Sequence, residues 1–127
     1  MIRIASLAAA ALVLGSAGAA SAQDAAAGEK LFRQCKACHV IDKEQNRVGP
    51  HLVGIVGRAV GAVDGYKYSN AMIEWGEGKV WDAATLKEYL ENPRKVVKGT
   101  KMAYPGLKKP EDRDNMVSYL EQAGGGS

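Results

Sequence analysis

Apolar positions along the chain fall into three helix-like stripes separated by long irregular stretches. Ala27, Leu31 and Cys35 make the first stripe, spaced i, i+4, i+8. Asp24 stands ahead of it as a candidate N-cap, although Gly28 lowers the local helix preference. Leu86, Tyr89 and Leu90 form the second stripe, in a helix expected over residues 82–92. Asp82 caps that helix and Pro93 ends it. Met116, Val117, Tyr119 and Leu120 form the third, in a helix that starts near Pro110. Proline suits a first helical position, and Glu111 and Asp112 suit the positive end of the helix dipole. Gly124 is the expected stop, with residues 124–127 read as a flexible tail.

The stretches between the stripes are as informative. Residues 42–69 are punctuated by Gly49, Pro50, Gly54, Gly57, Gly61 and Gly65, which breaks both helical and strand periodicity. Residues 98–110 form a second loop, with Gly99, Pro105 and Gly106. Structureless loops this long are unusual in a compact domain. They make sense if they wrap around a ligand. The chain is therefore expected to be all-α, with three main helices.

The N-terminus has a different character. Met1-Ile2-Arg3 is a short positive start, residues 4–14 are apolar and alanine-rich, and Ala20-Ser21-Ala22 is a small-x-small site before Gln23. This pattern is that of a secretory signal peptide over residues 1–22, cleaved to leave a domain over 23–123. A membrane anchor is the rival reading. The apolar run is too short to span a bilayer comfortably, which takes about 20 residues. Alanine-rich signals of this kind point to a bacterial exported protein.

Composition narrows the class further. The chain has 127 residues, a net charge of +3, 46% hydrophobic and 24% charged residues. That allows one globular domain and excludes a disordered chain, a collagen-like repeat and a disulfide-dense scaffold. One Phe and few large aliphatics make a thin core for this length. Something else is expected to fill the interior.

Cys35-Lys36-Ala37-Cys38-His39 is a C-x-x-C-H motif, the pattern of covalent haem attachment. Two thiols three apart on a helical turn lie on one side, and each can add to a vinyl group of one haem. The adjacent His39 then presents its imidazole to the iron. A redox disulfide lacks its βαβ context, a zinc site lacks a second cysteine pair, and a disulfide across one turn is strained. A ligating imidazole needs an acceptor on its other nitrogen, and Pro50 offers its carbonyl. Met72, Met102 and Met116 are the soft candidates for the other face of the iron. Met116 lies on an apolar helix stripe and reads as core, and Met72 reads either way. Met102 lies in a loop with no helix face to serve. His51, two residues past a Gly-Pro pair, is the less favoured alternative. Methionine on iron favours the reduced state and closes the site to small substrates, which means electron transfer.

With these residues in view, the chain resembles the class I cytochromes c, the bacterial cytochrome c2 and mitochondrial-like branch. The resemblance runs from Gly28 to Leu120. It rests on Gly28 with Phe32, Cys35-Lys36-Ala37-Cys38-His39, Val48-Gly49-Pro50-His51-Leu52, Gly57-Arg58, Tyr66-Lys67-Tyr68, Trp81, Tyr89-Leu90-Glu91-Asn92-Pro93 and Gly99-Thr100-Lys101-Met102. It implies the class I cytochrome c fold around one covalent haem c, with thioethers at Cys35 and Cys38. It also implies His39 and Met102 as axial ligands, with Pro50 accepting from His39. Arg58, Tyr68 and Trp81 would hold the propionates, and Tyr89 and Thr100 would lie near the Met102 sulfur. The helix with Gly28 and Phe32 would cross the last helix near Tyr119 and Leu120. Two positions depart from the family pattern. Tyr104 replaces a frequent Phe, and Met72 stands where Asn is common.

Charge suggests a docking face. Arg94, Lys95, Lys98, Lys101, Lys108 and Lys109 flank the Met102 loop, and Arg47 lies near Pro50. Such a patch steers an acidic partner and is screened by salt. By resemblance the partners are a membrane cytochrome bc complex as donor, and cytochrome c oxidase, a photosynthetic reaction centre or another periplasmic redox protein as acceptor. The expectation is a monomeric periplasmic one-electron carrier, not an enzyme, without a membrane anchor once cleaved. Nucleic acid is not expected, since no aromatics interleave with the basic residues. The rival function is a haem enzyme or gas sensor, peroxidase-like, with an open or labile sixth position.

Overall fold

A computed structural model of the chain describes residues 24–125. The expected signal peptide at 1–22 lies outside the described residues. Asp24 caps α1 (Ala25–Phe32), its carboxylate accepting from the backbone N–H groups of Ala26 and Ala27. Asp82 does the same for α3 (Ala83–Glu91) through Thr85 N. The last helix, α5 (Pro110–Ala123), starts on Pro110, with Glu111 and Asp112 in its first turn. Two short helices were not expected. The first, α2 (Asn70–Gly76), is capped by the Ser69 hydroxyl, and the second, α4 (Pro93–Val96), by the Asn92 side chain. Pro93 thus ends α3 and opens α4, because the first helical position needs no N–H donor.

The scaffold is the crossing of α1 and α5. Gly28 is buried, and a Cβ there would sit 2.8 Å from Tyr119 Cβ and closer still to the Asn115 carbonyl. The bare backbone of Gly28 is what lets the two helices approach this closely. Phe32 lies on Tyr119 with ring centroids 5.1 Å apart, and Asn115 Oδ1 accepts from Asp24 N at 2.8 Å. Phe32, Met116 and Val117 are each only 1% exposed. Burial of these side chains contributes roughly 1.5–3 kcal/mol each. Helix α3 packs its Leu86, Tyr89 and Leu90 stripe into the same core, and Lys87 reaches Asp114 on α5 at 2.8 Å.

Residues 42–69 run without a helix, as the glycines foretold. Residues 57–60 are tied to 79–81 by Gly57 N to Trp81 O (2.8 Å), Trp81 N to Arg58 O (2.8 Å) and an isolated bridge of Ala59 with Val80. Gly124 departs from expectation. It is buried, its φ of −76° lies in the right-handed region, and its carbonyl accepts from Gly54 N at 2.8 Å. It is part of the packed domain, closing α5 onto the 52–54 loop, and does not belong to a tail. Residues 126–127 lie outside the described residues.

Candidate functional site

The loops and helices enclose a cavity of about 300 Å³. Cys35, Cys38 and His39 line one part of it, and Tyr89, Thr100 and Met102 another. The Cys-His segment lies on turns just past α1. Cys38 N and His39 N both donate to Cys35 O, at 3.1 and 2.9 Å, which closes one helical turn. That turn brings both thiols and the imidazole to one cavity. Burial, with a smaller contribution from Cys38, pushes the Cys35 thiol up to about 11. The thiol is therefore neutral near pH 7, and the residue is half-buried.

His39 is held by backbone. Its Nδ1 donates to Pro50 O at 2.7 Å, a tautomer set by the carbonyl acceptor. Gly49 N donates to Cys38 O at 2.9 Å, so Gly49 lies flat against the imidazole. A Cβ on Gly49 would stand 2.8 Å from His39 Nδ1 and nearer to Cε1. Burial lowers the His39 pKa below 6.5, the Pro50 bond opposes this, and the Arg58 charge adds to it. The imidazole is neutral, with Nε2 left as a lone-pair donor.

Of the three methionines, Met72 and Met116 are buried, at 8% and 1% exposure, and form cavity wall. Met116 is thus core, as its helix stripe implied. Met102 alone of the three has a hydroxyl near its sulfur. Its N–H donates to Thr100 Oγ1 at 3.3 Å, and Tyr89 Oη is 4.0 Å from its sulfur. Tyr89 Oη and Thr100 Oγ1 are 3.1 Å apart. His51 is occupied elsewhere: its Nδ1 accepts from Val53 N at 3.2 Å, and its carbonyl accepts from Arg58.

The cytochrome c family model matches residues 25–124. Cytochrome c2 of Agrobacterium tumefaciens (strain II Chrys) is 48% identical over 99 residues, which is 76% of this chain and 89% of that protein. Cytochrome c2 of Afifella marina is 50% identical over 98 residues, 76% of this chain and 79% of that one. The solved structure of cytochrome cH from Methylobacterium extorquens has a TM-score of 0.71 at 48% identity, covering 78% of this chain and 98% of that chain.

The chain belongs to the cytochrome c family.

As a cytochrome c it carries one covalent haem c at the Cys35 and Cys38 pair, and it is an electron-transfer protein rather than an enzyme. The residues around the cavity fit that group. Arg58 lines the cavity with Nη1 donating to His51 O (3.0 Å) and Val53 O (3.2 Å), while its Nε is buried with no partner among the described residues. Arg58 is half-buried, but an enclosed guanidinium N–H left unused needs an anion, and a haem propionate would supply one. Tyr68 lines the cavity too. Its oxygen accepts from Val63 N at 3.1 Å, which leaves the hydroxyl proton for a further acceptor. Trp81, 7% exposed, also lines the cavity and is joined to Arg58 through its backbone. The three expected propionate residues therefore share one cavity.

The expected docking residues do not form a uniform set. Arg94, Lys95, Lys98 and Lys109 are exposed around the Met102 loop. Lys101 Nζ donates to Lys67 O at 2.9 Å, and Lys108 Nζ to Glu91 O at 2.8 Å, so these two also tie down backbone. Arg47 lies apart, on a depression it shares with Lys36 and Lys43. Two contributors were not foreseen. Asn46 joins two loops, accepting from His51 N and donating to Asp64 O. Trp75 stacks on Trp81 and Tyr89. The sequence offers no signal for Trp75, because its neighbours are set by the tertiary fold.

Proposed function

We propose that the chain is a soluble periplasmic one-electron carrier in which His39 and Met102 are the axial ligands of the haem. The observation that carries this reading is the cavity itself. A neutral imidazole anchored on Pro50 O shares it with Met102, whose backbone N–H is held by Thr100 and whose thioether faces the Tyr89 hydroxyl. A bound haem supplies a one-electron iron couple, and methionine ligation biases it toward the reduced state. The chain does the rest. Pro50 fixes the imidazole and keeps its proton on Nδ1. Tyr89 and Thr100 position the Met102 sulfur. Arg58, Tyr68 and Trp81 hold the propionates. The apolar wall of Leu86, Leu90, Met116 and Leu120 excludes water.

Arg94, Lys95, Lys98, Lys101, Lys108 and Lys109, with Arg47, form the docking face in this reading. The donor is a membrane cytochrome bc complex. The acceptor is a terminal oxidase, a photosynthetic reaction centre or a periplasmic reductase. Residues 1–22 direct export. No helix among the described residues is long and apolar enough to cross a membrane. The test is the visible spectrum of purified protein, oxidised and reduced, with and without carbon monoxide. A c-type spectrum with a methionine-to-ferric-iron charge-transfer band and no carbon monoxide shift is expected. Carbon monoxide binding to the unmodified reduced protein at neutral pH would overturn Met102 ligation.

A further inference from the structure

Asp64-Gly65 is the only Asp-Gly or Asn-Gly pair in the chain, and it stands at a turn. Both residues are exposed, Gly65 has a φ of +73°, and a side chain at Gly65 would meet only open space. Among the described residues, no group is bonded to the Gly65 N–H and none to the Asp64 carboxylate. We propose that Asp64 is a site of spontaneous isoaspartate formation in the folded protein, and that this modification slackens the neighbouring tie between Val63 N and Tyr68.

The chemistry needs only water. Gly65 N attacks the side-chain carbon Cγ of Asp64. An N–Cγ bond forms, the amide proton and the carboxyl hydroxyl leave as water, and a five-membered succinimide results. Water then adds at the backbone carbonyl carbon and breaks its bond to the nitrogen. The chain now runs through Cβ and Cγ, the free carboxylate sits on Cα, and the net change is an isomerisation. Asn46 Nδ2 donates to Asp64 O at 3.2 Å, which polarises the carbonyl that must open to give the isomer. Other sites are blocked. Asp24 and Asp82 hold their carboxylates on backbone N–H groups at helix starts. Asp112 and Asp114 lie inside α5, where Arg113 N is bonded to Lys109 O. Asp42 precedes the bulky Lys43, Asn92 precedes a proline, and Arg47 N, after Asn46, is bonded to Gly49 O.

The inserted methylene falls between two ties, Val63 N to Tyr68 Oη (3.1 Å) and Tyr66 Oη to Val48 O (2.9 Å). The Tyr66 ring can swing to keep its hydroxyl on Val48 O. Val63 N is fixed in the backbone beside the insertion and moves with it.

The test ages the holoprotein in neutral buffer, native and in denaturant, and maps isoaspartate by electron-transfer fragmentation, which cleaves its Cα–Cβ bond. Isoaspartate is expected at position 64 in both samples, ahead of every other aspartate. Asp64→Glu keeps the charge but would need a six-membered ring, so the signal is lost. In the separated isoaspartyl form, hydrogen exchange at Val63 N–H is expected to quicken severalfold. Accumulation in the denatured sample alone, or faster accumulation at Asp42 than at Asp64, overturns the site. Unchanged exchange at Val63 overturns the loosening.

Discussion

The two sides of the cavity are held by different kinds of bond. On the His39 side the ties are backbone groups: His39 N and Cys38 N to Cys35 O, Gly49 N to Cys38 O, and Pro50 O to the imidazole. Gly49 leaves no gap beside the ring. On the Met102 side backbone bonds hold the loop before and after the ligand, Thr100 N to Val97 O (3.0 Å) and Leu107 N to Leu90 O (2.7 Å), whereas the ties around Met102 itself are side chains, the hydroxyls of Thr100 and Tyr89 and the ammonium of Lys101 on Lys67 O. Backbone ties survive most substitutions, whereas side-chain ties are lost with one residue. The His39 side is a fixed socket. The Met102 side is a loop latched by three removable groups, and it is where the site can open.

The sharpest way to break this asymmetry is to attack the socket through the one residue that keeps it tight. Gly49→Val drives a branched side chain into the imidazole and displaces it from Pro50 O. Overpacking of this kind costs about 3 kcal/mol. The expected result is a large fall in haem-loaded yield and in the denaturation midpoint. An unchanged midpoint would show that the socket yields as readily as the loop.

Met102→Ala tests the soft side. Met102 is half-buried, so the stability loss falls at the lower end for Met→Ala, about 2 kcal/mol. The fold survives, the reduced protein gains carbon monoxide binding, and the midpoint potential falls. Stopped-flow and spectroelectrochemistry read these changes. A variant that still excludes carbon monoxide would mean that another group closes the sixth position.

Acid and alkali separate the two sides without a mutation at either ligand. Burial holds His39 below its ordinary 6.5, against the Pro50 bond and aided by Arg58. The unfolded chain therefore takes up the proton first. The stability due to neutral His39 is whole above about pH 6.5 and is lost progressively below it. Burial raises Tyr89 above its ordinary 10.0, against the Thr100 bond. Its contribution is whole below pH 10 and is lost as the pH rises through the folded value. Denaturation midpoints across pH should fall at both ends, acid acting on the socket and alkali on the latch. Tyr89→Phe should flatten the alkaline arm alone. An alkaline arm of unchanged size would assign it to Tyr66, Tyr104 or Tyr119, which burial also raises.

The same division explains what the sequence made legible. Helices α1, α3 and α5 were readable because each carries its own start signal, Asp24, Asp82 or Pro110. Helix α2 was hidden: it spans seven residues, too few for a stripe, and follows a glycine-rich run. Helix α4 was hidden by Pro93, which reads as an ending although it is also a beginning. Gly124 was misplaced because its partner, Gly54 N, is distant in the chain. The socket was legible from local spacing, since C-x-x-C-H closes on itself in one turn. Of the latch, Met102 was favoured from its place in a loop with no helix face to serve, whereas Tyr89 and Thr100 could be named only by resemblance, because they meet it through packing. Trp75 had neither spacing nor resemblance to mark it.

The smallest effect on stability sharpens the comparison at the surface. Lys101 and Lys108 are engaged with backbone carbonyls, so reversing their charge would disturb the loop as well as the field. Lys95 and Lys98 are exposed beside the same loop and are the cleaner pair to change. Lys95→Glu with Lys98→Glu should change the unfolding free energy by no more than about 0.5 kcal/mol, the usual range for surface changes. The rate of electron exchange with an acidic partner should nevertheless fall, most at low ionic strength. The difference should fade as salt shortens the screening length toward about 8 Å near 0.15 M. Because redox encounters are small and transient, the loss belongs in the association rate. An equal loss at every salt concentration would mean that the variant has shifted the Met102 latch, and an unchanged salt slope would move docking off this rim.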